Sequence, residues 1–271
     1  MSRRFGQNFL VSRAARQRIT DTLPIAPHES MIWEIGPGIG AMTELILAAE
    51  PASLVVFEVD RGFCRILEEE FSSNPLFSLV AGDFLKVWRG YAAEHGTPDI
   101  VTGNLPYNIA SVMIAQMIEQ ELLPESMVFT LQREVAQRIV AEPGSKHYSS
   151  FTLLCNLDYD TELVTDLAPG NFYPKPEVVS SVIAFRRKGG QPLESRQRAL
   201  YLDTIADMFQ ARRKTMKNNF RNGRIGRRFG REGVERAALQ VGIDLEARGE
   251  TLGVQRVLEF VTALSMPEQA S

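Results

Sequence analysis

Met31-Ile32-Trp33-Glu34-Ile35-Gly36-Pro37-Gly38-Ile39-Gly40-Ala41 reads as a short apolar strand that runs into a glycine turn and then into a helix. Glycines at a strand end let a ligand approach the main chain, which makes Gly36 and Gly38 candidate ligand contacts. The same rhythm continues downstream. Leu54–Glu58, Phe77–Ala81, Ile100–Gly103 and Ser126–Leu131 have strand character, whereas Ala41–Ala49, Arg61–Phe71, Ala110–Gln120 and Arg133–Ala141 carry helical apolar spacing. This alternation predicts an α/β fold on a parallel sheet. Phe151–Tyr159 and Val178–Arg186 are expected to extend the sheet by two strands.

The pattern breaks at Arg187-Lys188-Gly189-Gly190-Gln191-Pro192, which marks the expected boundary between a domain over 1–188 and one over 193–271. Beyond it, Ser195–Phe209, Thr215–Phe220, Glu232–Val241 and Val254–Leu264 are spaced as helices, with Gly242 at a helix end. A chain of 271 residues with 44% hydrophobic and 23% charged residues can bury a sizeable core. Its N-terminus has no apolar leader region, and no run of ~18 apolar residues occurs, so a cytoplasmic location is expected. A monomer is also expected. Cys64 and Cys155 are far apart, and His28, His95 and His147 form no cluster, so neither a disulfide framework nor a metal site is indicated.

Charge is unevenly spread. Met208 to Arg231 holds nine bases and no acid, and Arg3, Arg4, Arg13, Arg16 and Arg18 precede the first acid, Asp21. With those fourteen set aside the rest carries a formal −17, against −3 for the whole chain. Phosphate binding responds to local rather than net charge, so Arg212, Arg213, Lys214, Lys217 and Arg221 are candidate RNA contacts. A solvated helix face is the plainer reading of the same run.

The glycine loop alone fits a dinucleotide fingerprint, with Glu58 about 20 residues on as an acceptor for ribose hydroxyls. NAD and S-adenosylmethionine both remain open at this point. Asp83 and Phe84 follow the third strand, where an acid can accept from an adenine amine and a ring can lie against the base. After the fourth strand comes Gly103-Asn104-Leu105-Pro106-Tyr107-Asn108, which is more specific. An exocyclic adenine amine is a poor nucleophile because its lone pair is delocalised into the ring. The Asn104 side-chain oxygen and a main-chain carbonyl near Leu105 are suited to accept from that amine and favour attack on a sulfonium methyl. Tyr107 supplies a face on which an extruded base can stack.

Together these segments resemble the bacterial small-subunit (16S) rRNA adenine N6,N6-dimethyltransferases. The resemblance starts at Arg4-Phe5-Gly6-Gln7-Asn8-Phe9-Leu10 and runs through Glu34–Gly38, Glu58-Val59-Asp60, Gly82-Asp83, Asn104–Asn108 and Leu131-Gln132-Arg133-Glu134-Val135. It continues through Phe172-Tyr173-Pro174-Lys175-Pro176-Glu177-Val178-Val179-Ser180-Ser181 and Phe209–Thr215. It implies a Rossmann-like class I S-adenosylmethionine methyltransferase domain with a small C-terminal all-helical domain that grips rRNA. It also implies that Asn8, Leu10, Gly36, Glu58, Asp83 and Asn104 line the cofactor site. Asn104, Leu105, Tyr107 and Phe172 would surround the target adenine. The family dimethylates two adjacent adenines near the 3′ end of 16S rRNA during small-subunit biogenesis.

Three other readings stay in view. A 23S rRNA adenine methyltransferase of the antibiotic-resistance type shares the Gln-Asn-Phe-Leu and Asn-Leu-Pro-Tyr segments. An NAD-dependent oxidoreductase explains the glycine loop and Glu58 but not Asn104–Tyr107. A non-catalytic ribosome-assembly factor would keep the fold and bind RNA through its basic segment.

Overall fold

The computed structural model describes residues 8–190 and 193–266. Arg3, Arg4 and Phe5-Gly6-Gln7 of the opening motif, and Gln191 and Pro192 of the expected boundary, lie outside the described residues.

In chain order the first elements are β1 (Phe9–Leu10), α1 (Arg13–Thr22), β2 (Met31–Ile35), α2 (Thr43–Ala48), β3 (Ser53–Glu58), α3 (Arg61–Phe71) and β4 (Phe77–Ala81). They are followed by α4 (Phe84–His95), β5 (Ile100–Asn104), α5 (Ala110–Glu119), β6 (Ser126–Gln132), α6 (Arg133–Ile139) and α7 (Ser150–Asp158). Next come β7 (Tyr159–Leu167), β8 (Phe172–Tyr173) and β9 (Ser180–Arg187). Helices α8 (Ser195–Met208), α9 (Met216–Asn222), α10 (Arg224–Gln240) and α11 (Val254–Ser265) close the chain.

Seven strands form one sheet in the order β4-β3-β2-β5-β6-β9-β7; the first five run parallel, β9 runs against them, and β7, antiparallel to β9, runs with the five again. The central strands are buried on both faces, which explains the unbroken apolar run at Leu54–Phe57; β2 is equally buried from Ile32 to Ile35 although Glu34 lies within it. Chain order reverses between β2 and β5, so the loops that leave their carboxyl ends run to opposite sides and leave a crevice beyond the strands. The ladder pairs Ile35 with Gly103 and Glu58 with Ala81, which brings the predicted loops to one sheet edge.

The chain divides into two compact units. One comprises residues 1–136 and 159–188; the other, 137–158 and 189–271, is largely helical. The second unit thus takes a segment from within the stretch read as one domain. Phe151–Tyr159, expected as a strand, is helix α7 up to Asp158, and the strand is the following Tyr159–Leu167. The run Phe-Thr-Leu-Leu-Cys is apolar on every side, so periodicity cannot separate helix from strand. What decides is packing with α8: Arg198 forms a bidentate pair with Asp158 at 3.0 and 2.8 Å, and the Tyr201 hydroxyl donates to the Leu153 carbonyl at 3.0 Å.

Two helices were not expected. Helix α1 is mostly polar, and Ser12 caps it by accepting from the Ala15 amide. Helix α4 begins directly after Asp83, whose side chain accepts from the Leu85 amide. The expected helix over Glu232–Val241 is the second half of α10, which is interrupted at Gly230.

Candidate active site

A cavity of about 230 Å³ opens at the carboxyl ends of β2, β3, β4 and β5. Its wall includes Asn8, Gly36, Gly38, Glu58, Asp83, Phe84, Asn104, Leu105 and Tyr107, all predicted from sequence. A second cavity of about 180 Å³ shares Phe9, Gly36 and Asn104 with it and adds Leu10, Arg16 and Glu34.

Each group is held by local chemistry. The Glu58 carboxylate is 2% exposed and accepts from the amides of Gly38 (3.1 Å), Val59 (2.9 Å) and Asp60 (2.8 Å). Burial raises its pKa and these amides oppose the rise. A carboxylate has about four acceptor sites, so capacity is left for a sugar hydroxyl. Gly36 has φ +67°, and a Cβ there would meet nothing within 4 Å, so the turn presents bare main chain to open space. Asp83 divides its carboxylate between the α4 cap and Lys86, at 3.7 Å. The Phe84 ring packs edge-on to Phe57 at 5.1 Å, leaving it in the cavity wall but fixed. These features fit S-adenosylmethionine: an acid for ribose, an acid and a ring for adenine, and a glycine turn for the amino-acid end.

Around β5 the geometry is tighter. Gly103 passes so close to β2 that a Cβ would lie 2.5 Å from the Ile35 oxygen. The next residue, Asn104, donates its side-chain amide to the Asn8 carbonyl at 2.7 Å, which turns the amide so that Oδ1 is the atom left to accept. Leu105 is buried, and its amide donates to the Thr130 carbonyl. Tyr107 is half-buried in the wall, with its hydroxyl hydrogen-bonded to Ser180.

Phe172 departs from expectation. It is 3% exposed and lines neither cavity; in the β1–β8 ribbon it lies opposite Leu10, and the pair faces the core. Strand alternation is the reason, because adjacent residues point to opposite faces. Sequence reasoning gave no separate role to Phe9, Arg16 or Glu34, which line the second cavity. Glu34 looked like a strand-end residue, yet it is 2% exposed, accepts from the Thr43 hydroxyl at 2.7 Å and has its pKa pushed up to about 7 by burial.

The predicted RNA contacts lie in the helical unit and fall into two groups. Arg212 pairs with Glu250 at 3.2 Å and also donates to the Lys146 carbonyl, and Lys217 pairs with Glu246 at 2.7 Å. Arg213, Lys214 and Arg221 are exposed and, among the described residues, have no acid within ion-pair distance.

Comparison with known proteins identifies the family. Residues 1–258 match the family model "Ribosomal RNA adenine dimethylase". A Treponema denticola protein named "Ribosomal RNA small subunit methyltransferase A" is 36% identical over 256 residues, covering 94% of this chain and 86% of that protein. A protein of the same name from Borreliella burgdorferi is 40% identical over 218 residues, 80% of this chain and 74% of that one. Among solved structures, a Plasmodium falciparum dimethyladenosine transferase superposes with a TM-score of 0.76 at 19% identity, covering 93% of this chain and 95% of that chain. The 23S rRNA methyltransferase ErmE superposes at 0.71 and 23% identity, covering 96% and 100%. These two likenesses concern the fold; over nearly its whole length, the chain belongs to the ribosomal RNA adenine dimethylase family.

Proposed function

We propose that this chain dimethylates the N6 amines of two neighbouring adenines near the 3′ end of the small-subunit rRNA, during assembly of that subunit. Ribosomal RNA adenine dimethylation with S-adenosylmethionine as methyl donor is the activity of its family. When bound, that cofactor supplies a methyl group on a positively charged sulfur.

The reading rests chiefly on one observation: the Asn104 amide is committed to the Asn8 carbonyl in the wall that also holds Glu58 and Asp83. In this reading Asn104 Oδ1 accepts a hydrogen bond from one N–H of the target amine, and a main-chain oxygen beside Leu105 accepts one from the other N–H. Pairing both N–H bonds with acceptors favours a pyramidal nitrogen whose lone pair points along one direction. The Tyr107 ring, held through Ser180, supports the extruded base from one side. Glu58 receives the cofactor ribose, Asp83 and Phe84 its adenine, and Asn8, Leu10, Gly36 and Gly38 its amino-acid end. Once methyl transfer makes the amine acidic, its proton passes to water. The helical unit, through Arg213, Lys214 and Arg221, contacts rRNA phosphates. The working form is a monomer in the cytoplasm.

The test is methyl transfer from labelled S-adenosylmethionine to undermethylated small subunits and, in parallel, to protein-free large-subunit rRNA, with products mapped by nucleotide. N6,N6-dimethyladenine at neighbouring small-subunit adenines is the expected product. Label confined to large-subunit RNA would overturn the substrate assignment.

A further inference from the structure

Tyr173 is 62% exposed and is the one exposed phenylalanine, tyrosine or tryptophan among the described residues. The β1–β8 ribbon explains why it is held out. Phe172 and Leu10 face the core, so Tyr173 and its cross-strand partner Phe9 share the opposite face. Phe9 lines both cavities and packs edge-on to Phe63 at 5.4 Å, which places the Tyr173 ring beside the rim. Val11 and Ile39, about half-exposed, line the smaller cavity, and Ile109, 37% exposed, lines the larger. These side chains bring apolar surface to the mouths of both cavities, where a bound partner can cover it. Lys175, two residues past Tyr173, is exposed, and no acid pairs with it among the described residues.

We infer that Tyr173 stacks on the unpaired nucleobase next to the target adenine, with Lys175 on the adjoining phosphate. Extruding one base deprives its neighbour of a stacking partner, and an exposed ring at the mouth replaces it. An exposed aromatic ring with an exposed cation two residues away is a combination that single-stranded nucleic acid uses, the ring for a base and the cation for a phosphate. The inference rests on the proposed function, because it requires an RNA adenine in the cavity.

The experiment uses the full chain with undermethylated small subunits, and a short single-stranded adenine-containing RNA for binding. Tyr173→Ala should raise the KM for small subunits about tenfold, as expected for loss of one base stack. Tyr173→Phe, which keeps the ring, should behave as wild type, and S-adenosylhomocysteine affinity should be unchanged in both. Tyr173→Ala should leave the salt slope of oligonucleotide binding intact, whereas Lys175→Ala should flatten it by about one phosphate contact. A wild-type KM in Tyr173→Ala overturns the inference, as does a parallel loss of S-adenosylhomocysteine binding, which would make the residue structural. If the wild-type chain methylates no rRNA, the proposed function fails first and this inference with it.

Discussion

The side-chain amide of Asn104, the last residue of β5, donates to the main-chain oxygen of Asn8 across a separation of 96 residues. The bond ties the segment entering β1 to the loop that carries Leu105, Pro106 and Tyr107. It also orients the amide, because a side chain that gives its NH₂ group to Asn8 presents its oxygen elsewhere. One contact therefore joins two parts of the cavity wall and fixes which atom of Asn104 can accept.

Asn104→Ala removes both functions. Losing one oriented acceptor in a preorganised site costs on the order of 10²–10³ in turnover. S-adenosylhomocysteine keeps Glu58, Asp83 and the glycine turn, so its affinity should fall by less than about tenfold. Single-turnover methyl transfer and calorimetry check the split; equal losses would make Asn104 a cofactor ligand and nothing more.

The parts of this site that were legible in sequence were those written in unusual residue combinations at strand ends. Gly36, Glu58, Asp83 and Asn104 each follow an apolar run, and a parallel sheet brings all such ends to one edge. Helix α4 is not legible locally, because Asp83 has the placement of a ligand residue at a strand end and also caps that helix. Helix α7 was misread because Leu153, Leu154 and Cys155 are buried on all sides, and only packing with Arg198 and Tyr201 distinguishes its state. The inward turn of Phe172 depends on its register with Leu10, a pairing between segments about 160 residues apart that local pattern does not encode.

Gly103→Ala tests the close approach of β5 to β2. The added carbon would meet the Ile35 oxygen at 2.5 Å, a main-chain atom that cannot rotate away. The strands must separate, at a cost of about 2 kcal/mol. Since Ile35 leads into Gly36 and Gly103 into Asn104, both cofactor affinity and turnover should fall, with a thermal midpoint lower by several degrees. An unchanged midpoint would mean that the β2–β5 ladder yields without strain.

Glu34 makes the cofactor-free protein less stable as pH rises. Its folded pKa is about 7 against an ordinary 4.5, chiefly through burial, so between those values the folded chain holds a proton that the unfolded chain has released. Stability from this group is fully present below about pH 4.5 and is lost as pH climbs to 7, by about 3 kcal/mol. Glu34→Gln keeps an acceptor for Thr43 and cannot ionise. Urea unfolding of both proteins from pH 5 to 8 should show the variant gaining on wild type across that range; a constant difference would place the Glu34 titration outside it.

The basic segment of the helical unit offers the sharpest contrast, because its charges are not equivalent. Arg212 and Lys217 already face Glu250 and Glu246; neutralising Lys217 removes an exposed ion pair and little else, whereas Arg212 also holds the Lys146 carbonyl. Arg213, Lys214 and Arg221 have no such partner and are available to displace counterions from RNA. The triple variant Arg213→Glu, Lys214→Glu, Arg221→Glu should weaken binding to small subunits by about 100-fold near physiological salt and flatten the salt dependence. Lys217→Ala should change affinity less than about threefold with the slope preserved. Filter binding between 50 and 200 mM salt separates the outcomes: a preserved slope in the triple variant would make the run a structural feature of the helices, and an equal effect at Lys217 would mean that RNA draws this lysine away from Glu246.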